Sequence, residues 1–122
     1  MIKITDDEAY AFDYYSIILL KKENGVDVNK SINIIKNDII QQIGLDLFNE
    51  IIHSNEYNNL YMSNKKTFDA VDKAKTDSVL ASYVDECNYL RMMNKKDLQN
   101  KFFSNELLET KIGYEKITFK NE

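Results

Sequence analysis

Proline and tryptophan are absent from this chain of 122 residues, and glycine occurs only three times. Small all-β folds rely on proline and glycine to shape their many turns, so this composition excludes a turn-rich β architecture. With 43% apolar and 30% charged residues, the chain has enough apolar material to bury a core without disulfides or metals. We therefore expect a single helical domain over 1–122.

The single cysteine and the weak charge bias restrict the compartment and the partners. Cys87 has no second cysteine with which to form an intramolecular disulfide, and the chain lacks an apolar run long enough to span a membrane. These features predict a soluble, cytoplasmic protein. The net charge of −4 gives no bulk attraction to nucleic acid or to an anionic membrane. Glycine-rich phosphate loops and Cys-x-x-Cys pairs are also missing, so the sequence predicts no cofactor, no metal and no catalytic residue.

Apolar periodicity predicts a mainly α fold of four helices, at about 6–24, 28–43, 46–75 and 78–104, with a tail over 105–122. Gly25 and Gly44 lie where apolar-periodic segments stop, as expected of residues that follow a helix with positive φ. The long interval before Gly113 suggests a break, and Thr76-Asp77-Ser78 offers N-cap residues for it. The last two helices should form a long antiparallel hairpin. Partial alternation in the tail also allows short β segments at the two termini.

One motif, M-x-N-K-K-x-[FL], occurs twice. It reads Met62-Ser63-Asn64-Lys65-Lys66-Thr67-Phe68 and, thirty residues later, Met92-Met93-Asn94-Lys95-Lys96-Asp97-Leu98. The midpoint of Asn64 and Asn94 is position 79, so an antiparallel hairpin would bring the two copies together. We expect the two asparagines to hydrogen-bond within an apolar seam and to fix its register.

The same motif supports a second hypothesis, a basic patch for phosphate or for the nucleic-acid backbone. Its members would be Lys65, Lys66, Lys95 and Lys96. The nearby carboxylates of Asp69, Asp72, Asp85 and Glu86 instead favour an ordinary solvated face, and an arginine fork for bidentate phosphate recognition is lacking there. Both readings stay open at the level of sequence.

Two further patterns are weaker candidates. Glu50 and His53 have the Glu-x-x-His spacing of di-metal helical bundles, but the pattern occurs once and His53 is the only histidine, so we expect a surface pair. The acidic run Asp6-Asp7-Glu8 suits the positive end of a helix dipole better than it suits a cation site. We expect Cys87 to be a small core residue on the hairpin seam.

Three segments resemble a small uncharacterised helical family of bacteria, phages and marine metagenomes. They are Ser16-Ile17-Ile18, Asn64-Lys65-Lys66-Thr67-Phe68 and Met93-Asn94-Lys95-Lys96. They are similar to that family's Ser-Ile-Leu, Asn-Lys-x-x-Trp and Leu-Asn-x-Lys/Arg elements, with Phe68 in the place of Trp and Met93 in the place of Leu. Since no activity is established for the family, the resemblance implies a helical domain and assigns no site residues.

The function that these features favour is that of a non-enzymatic helical interaction protein. An apolar strip of the hairpin, left uncovered by the first two helices, would pair with a second copy in an isologous homodimer. The alternative is an anion or nucleic-acid binding module that uses the four lysines. A metal-dependent enzyme is a third reading, which elemental analysis would decide.

Overall fold

The computed structural model describes residues 6–76 and 80–103, and five α-helices make up most of this part of the chain. They are α1 Glu8–Glu23, α2 Asn29–Ile43, α3 Leu45–Ile52, α4 Asn55–Lys75 and α5 Ala81–Phe102. The predicted mainly helical class is confirmed. The terminal β segments and Gly113 lie outside the described residues. Among the helices that are described, none combines the length and the apolar character needed to cross a membrane.

The single helix predicted over 46–75 is wrong, because the chain breaks it into α3 and α4 at His53 and Ser54. Ser54 is the N-cap of α4: its Oγ accepts a hydrogen bond from the Tyr57 amide at 3.1 Å and donates one to the Ile51 carbonyl at 2.6 Å. This arrangement satisfies an amide that the first turn of a helix otherwise leaves unpaired. A serine cap therefore ends one helix and starts the next without glycine or proline.

Gly25 and Gly44 both have positive φ, at 90° and 93°, as their positions predict. Gly25 follows α1 in a Schellman arrangement, in which the Val26 amide bonds the Lys21 carbonyl at 2.9 Å and the Gly25 amide bonds the Lys22 carbonyl at 3.0 Å. Gly44 separates α2 from α3, and its ψ of 155° places it in a region that only glycine enters easily.

Helix α1 lies at the centre of the fold. Its Phe12 stacks on Phe48 of α3 with ring centroids 6.0 Å apart, and Tyr57 of α4 meets Phe12 edge-on at 6.3 Å. The buried cluster around these rings consists of Ala9, Phe12, Tyr15, Ile39, Phe48, Ile51, Tyr57, Leu60 and Leu98. The isoleucines of α2 at 32, 35, 39 and 43 pack in or against it, in agreement with their helical spacing.

Helices α4 and α5 pack along each other in opposite directions. Glu56, at the start of α4, forms an ion pair of 3.7 Å with Lys101 near the end of α5. Lys66, further along α4, lies 5.8 Å from the ring centroid of Tyr83 near the start of α5. Cys87 is buried, as predicted. Of the predicted turn residues, Thr76 ends α4, whereas 77–79 lie outside the described residues.

Candidate functional site

A buried carboxylate, Asp13 of α1, joins three helices. It is only 5% exposed. Its Oδ1 accepts a hydrogen bond of 2.9 Å from Asn64 Nδ2 of α4, and its Oδ2 accepts one of 2.8 Å from Arg91 Nη2 of α5. Lys95 Nζ, also on α5, lies 3.9 Å from the same Oδ2. These four side chains, which we call the Asp13 cluster, fix α1 against both arms of the α4–α5 pair.

Asn64 is the link between α4 and α1. Its amide nitrogen also donates a hydrogen bond of 2.6 Å to Ser16 Oγ, and that hydroxyl donates one of 2.7 Å to the Asp13 carbonyl. Asn64 is 4% exposed, and its Oδ1 has no hydrogen-bond partner among residues 6–76 and 80–103. One buried amide thus has its donors satisfied and its acceptor unused.

Lys95 is a buried cation in the same cluster. It is 7% exposed, and its Nζ lies 4.0 Å from the centroid of the Tyr10 ring, close enough for a cation–π interaction. Burial lowers the pKa of Lys95 below its ordinary value; the Asp13 and Asp6 carboxylates oppose this shift, and the Arg91 guanidinium adds to it. The desolvation of the ammonium group therefore outweighs its attraction to the carboxylates.

Gln99 of α5 makes a second polar contact with α1, at the start of that helix. Its Oε1 accepts a hydrogen bond of 2.8 Å from the Ala9 amide, and its Nε2 donates one of 2.9 Å to Glu8. The Ala9 amide belongs to the first turn of α1, where amides have no partner within the helix. A side chain from α5 therefore satisfies one backbone amide in the first turn of α1.

The weaker sequence candidates are one Glu-x-x-His pair and the acidic run at the start of α1. Glu50 and His53 are both exposed, and His53 Nδ1 lies 2.7 Å from the Asn49 carbonyl oxygen at the end of α3. Within the part of the chain that the structure describes, no group of three His, Cys, Asp or Glu side chains is placed to hold a metal ion. In the acidic run, Asp7 is the N-cap residue of α1 and Glu8 is its first helical residue.

The repeated motif places its two asparagines in different surroundings. Asn64 is directed to α1, whereas Asn94 Nδ2 donates a hydrogen bond of 3.2 Å across the hairpin to the Asn59 carbonyl. The expected hydrogen bond between the two asparagines is therefore not formed. Each asparagine nevertheless ties its own helix to a neighbour, so a role in register stays a prediction.

The four lysines of the motif do not share one surface. Lys65 is exposed on α4 and lies 3.9 Å from Glu23 at the end of α1, and exposed Lys66 is next to Tyr83. Lys95 is buried and Lys96 is half-buried. Of these four lysines, Lys65 and Lys66 are the two whose side chains are exposed enough to contact a large polyanion.

Sequence reasoning missed four of the polar residues that join α1 to α4 and α5: Asp13, Ser16, Arg91 and Gln99. The available signal was Asp13 itself, an acidic residue flanked by Phe12 and Tyr14 in a helix with apolar residues all round. Charged residues are rarely buried without a partner, and Arg91 is the only arginine of the chain. Asp13 and Arg91 are thus the acidic and the basic residue that the sequence marks as candidates for a buried ion pair.

No protein-family model, curated protein or solved structure matches this chain. The resemblance drawn from three sequence segments therefore stays a prediction. Ser16 of the first segment accepts a hydrogen bond from Asn64 of the second.

Proposed function

We propose that this chain is a non-enzymatic helical interaction protein that self-associates through the face of the α4–α5 hairpin directed away from α1. The observation that carries the proposal is the pair Met62 and Leu90, which are 51% and 43% exposed and line one shallow depression. Met62 is two residues from Asn64, so the two side chains lie on opposite sides of α4. Because Asn64 faces α1, Met62 faces away from it.

The size of this hairpin face suits a homodimer. Helix α4 has 21 residues and α5 has 22, which makes each about 30 Å long. Two adjacent helices present a face about 20 Å wide, so its flat area is about 600 Å², or about three quarters of the roughly 800 Å² per partner that stable interfaces bury.

The charges along the same face also favour a second copy as the partner. Beyond Met62 the face continues with Lys66, Asp69 and Lys73, opposite Glu86 of α5. An isologous interface can pair such mixed charges across its two-fold axis, each lysine with a carboxylate of the other copy. A polyanion would instead meet repulsion from the two carboxylates.

The proposal is tested by measuring mass in solution. Light scattering after gel filtration, repeated up to high micromolar concentration, should give twice the chain mass of 14.3 kDa. Leu90→Lys and Met62→Lys should each shift the protein to the monomer. Ile34→Lys is the matched control, because Ile34 is equally exposed but lies on α2. A parent protein that stays monomeric at the highest concentration would refute the proposal.

Binding of nucleic acid or another anion through the lysines is the second candidate function. Its support is limited to Lys65 and Lys66, which are adjacent and exposed. Heparin retention at low salt, lost when both lysines are replaced with Gln, would favour this candidate. Absence of retention by the parent protein would remove this candidate.

A further inference from the structure

A cleft between α1, α4 and α5 lies on the other side of the hairpin from Met62 and Leu90. Its volume is about 190 Å³. The walls are apolar, formed by Ile17, Leu20, Phe68 and Val71, and the polar side chains that line it include Asn64 and Arg91 of the Asp13 cluster. An apolar recess with a few polar groups at one end is the usual form of a small-molecule site.

Arg91 has hydrogen-bond donors to spare. Its guanidinium carries five N–H groups, and one terminal nitrogen bonds Asp13 at 2.8 Å. Its other nitrogens make no hydrogen bond to residues 6–76 or 80–103, and the side chain is 29% exposed. The bond to Asp13 fixes the guanidinium in place, so the remaining donors are held in position for an acceptor.

The charge of the cluster favours an anionic acceptor. Arg91 and Lys95 contribute two positive charges, and the one carboxylate in contact with both is Asp13. Lys95 does not line the cleft and is also attracted by the Asp6 carboxylate, so the positive group that an entering anion would meet is the Arg91 guanidinium. Arginine is suited to a carboxylate because its planar fork matches the two oxygens.

We infer that this cleft binds a small monocarboxylate with a short apolar tail. The carboxylate would accept hydrogen bonds from the free edge of Arg91, and a tail of a few carbons would lie between Phe68 and Val71 of α4 and Ile17 of α1. The cleft volume of about 190 Å³ is below the several hundred Å³ of typical sites for drug-sized ligands, which favours a small ligand. This site is independent of the self-association face, so either can fail without the other.

The test compares three ligands of equal tail length: hexanoate, hexanamide and hexan-1-ol. Titration of the ¹⁵N-labelled full chain should show hexanoate shifting amide signals of Phe68, Val71 and Arg91, with the two neutral ligands about tenfold weaker or more. Equal binding of all three, or no binding of hexanoate at millimolar concentration, would overturn the inference.

Variants at the mouth of the cleft keep the test independent of folding. Val71 is partly exposed, so Val71→Glu adds a negative charge at the entrance with little risk to the core, and it should abolish hexanoate binding. Ile34→Glu is the control, because Ile34 is an exposed apolar residue of α2 that does not line the cleft, and it should leave the hexanoate affinity unchanged. Arg91→Lys keeps the charge but removes the fork, and should weaken hexanoate binding more than hexanamide binding. Unchanged affinity in Val71→Glu would overturn the assignment of the site.

Discussion

Asp13→Asn is the substitution that most directly tests the role of the buried cluster. Asparagine has nearly the same shape as aspartate, so the change leaves packing intact and removes one negative charge. Arg91 and Lys95 then face a neutral group, and Asn64 loses a charged acceptor at 2.9 Å. Any loss of stability therefore reports the electrostatic contribution of the carboxylate.

The expected loss follows from the burial of the partners. Removing one member of a buried ion pair costs about 3 to 5 kcal/mol, because the other charge stays buried without compensation. Arg91 is 29% exposed and can turn part of its guanidinium toward water, which places the cost near the lower end, at about 3 kcal/mol. In a domain of this size that loss lowers the thermal midpoint by about 10 °C.

Urea unfolding followed by far-ultraviolet circular dichroism is the suitable assay, because the chain has no tryptophan to report by fluorescence. Asp97→Asn is the control, an exposed aspartate on α5 whose replacement should leave the unfolding midpoint unchanged. A double-mutant cycle then isolates the interaction between Asp13 and Arg91. The double variant, Asp13→Asn with Arg91→Gln, should lose clearly less free energy of unfolding than the sum of the losses in the two single variants.

The reasoning is refuted if Asp13→Asn unfolds at the same urea concentration as the parent protein. It is also refuted if the two changes are additive, since additivity would mean that Arg91 does not depend on the Asp13 charge. A fall in the slope of the transition without a change in free energy would report an altered unfolded state instead.

Three further outcomes are expected, each measured by urea unfolding. Ser54→Ala should cost about 1 kcal/mol, since it removes the cap of α4, and a cost near zero would contradict the cap as the cause of the break. Gly44→Ala should lower the free energy of unfolding by about 1 to 3 kcal/mol. A Cβ at this position would meet no atom within 4 Å, so the loss would come from backbone strain and not from a steric clash. A smaller loss than in Gly25→Ala would contradict the importance of the ψ angle of Gly44. Burial lowers the pKa of Lys95 in the folded state below its ordinary value of 10.5. At a pH between the folded-state pKa and the unfolded-state pKa, the unfolded chain binds more protons than the folded chain, so the free energy of unfolding rises with pH. The parent should therefore gain stability relative to Lys95→Met as the pH rises toward 10.5, and a constant difference would contradict the shift.

Much of the helical framework was predictable because its signals are local. The apolar period of α2 and the positive φ of Gly25 and Gly44 depend on residues that are close in sequence. The break at Ser54 was missed for the opposite reason: serine is compatible with a helix interior, and its capping role depends on a backbone conformation that the sequence does not display.

The Asp13 cluster could not be derived from periodicity because it is made by tertiary contact. A helical wheel gives the side of a helix on which a residue lies but not what packs there, and α1 is apolar on most of its circumference. Asp13 meets Arg91 because α1 lies across both arms of the hairpin, at a sequence separation of 78 residues. The repeated motif predicted that Asn64 would be buried and polar, but it gave the wrong partner.

The hydrogen bond from the Ala9 amide to Gln99 also bears on the order of events during synthesis. The two residues are 90 positions apart, so α1 leaves the ribosome long before the helix that caps it. At typical elongation rates this interval lasts roughly 5 to 20 s, during which the apolar surface of α1 has only α2, α3 and α4 to cover it. The nascent chain thus depends on its later segments to become native, and a transient chaperone contact with α1 would fall within this window.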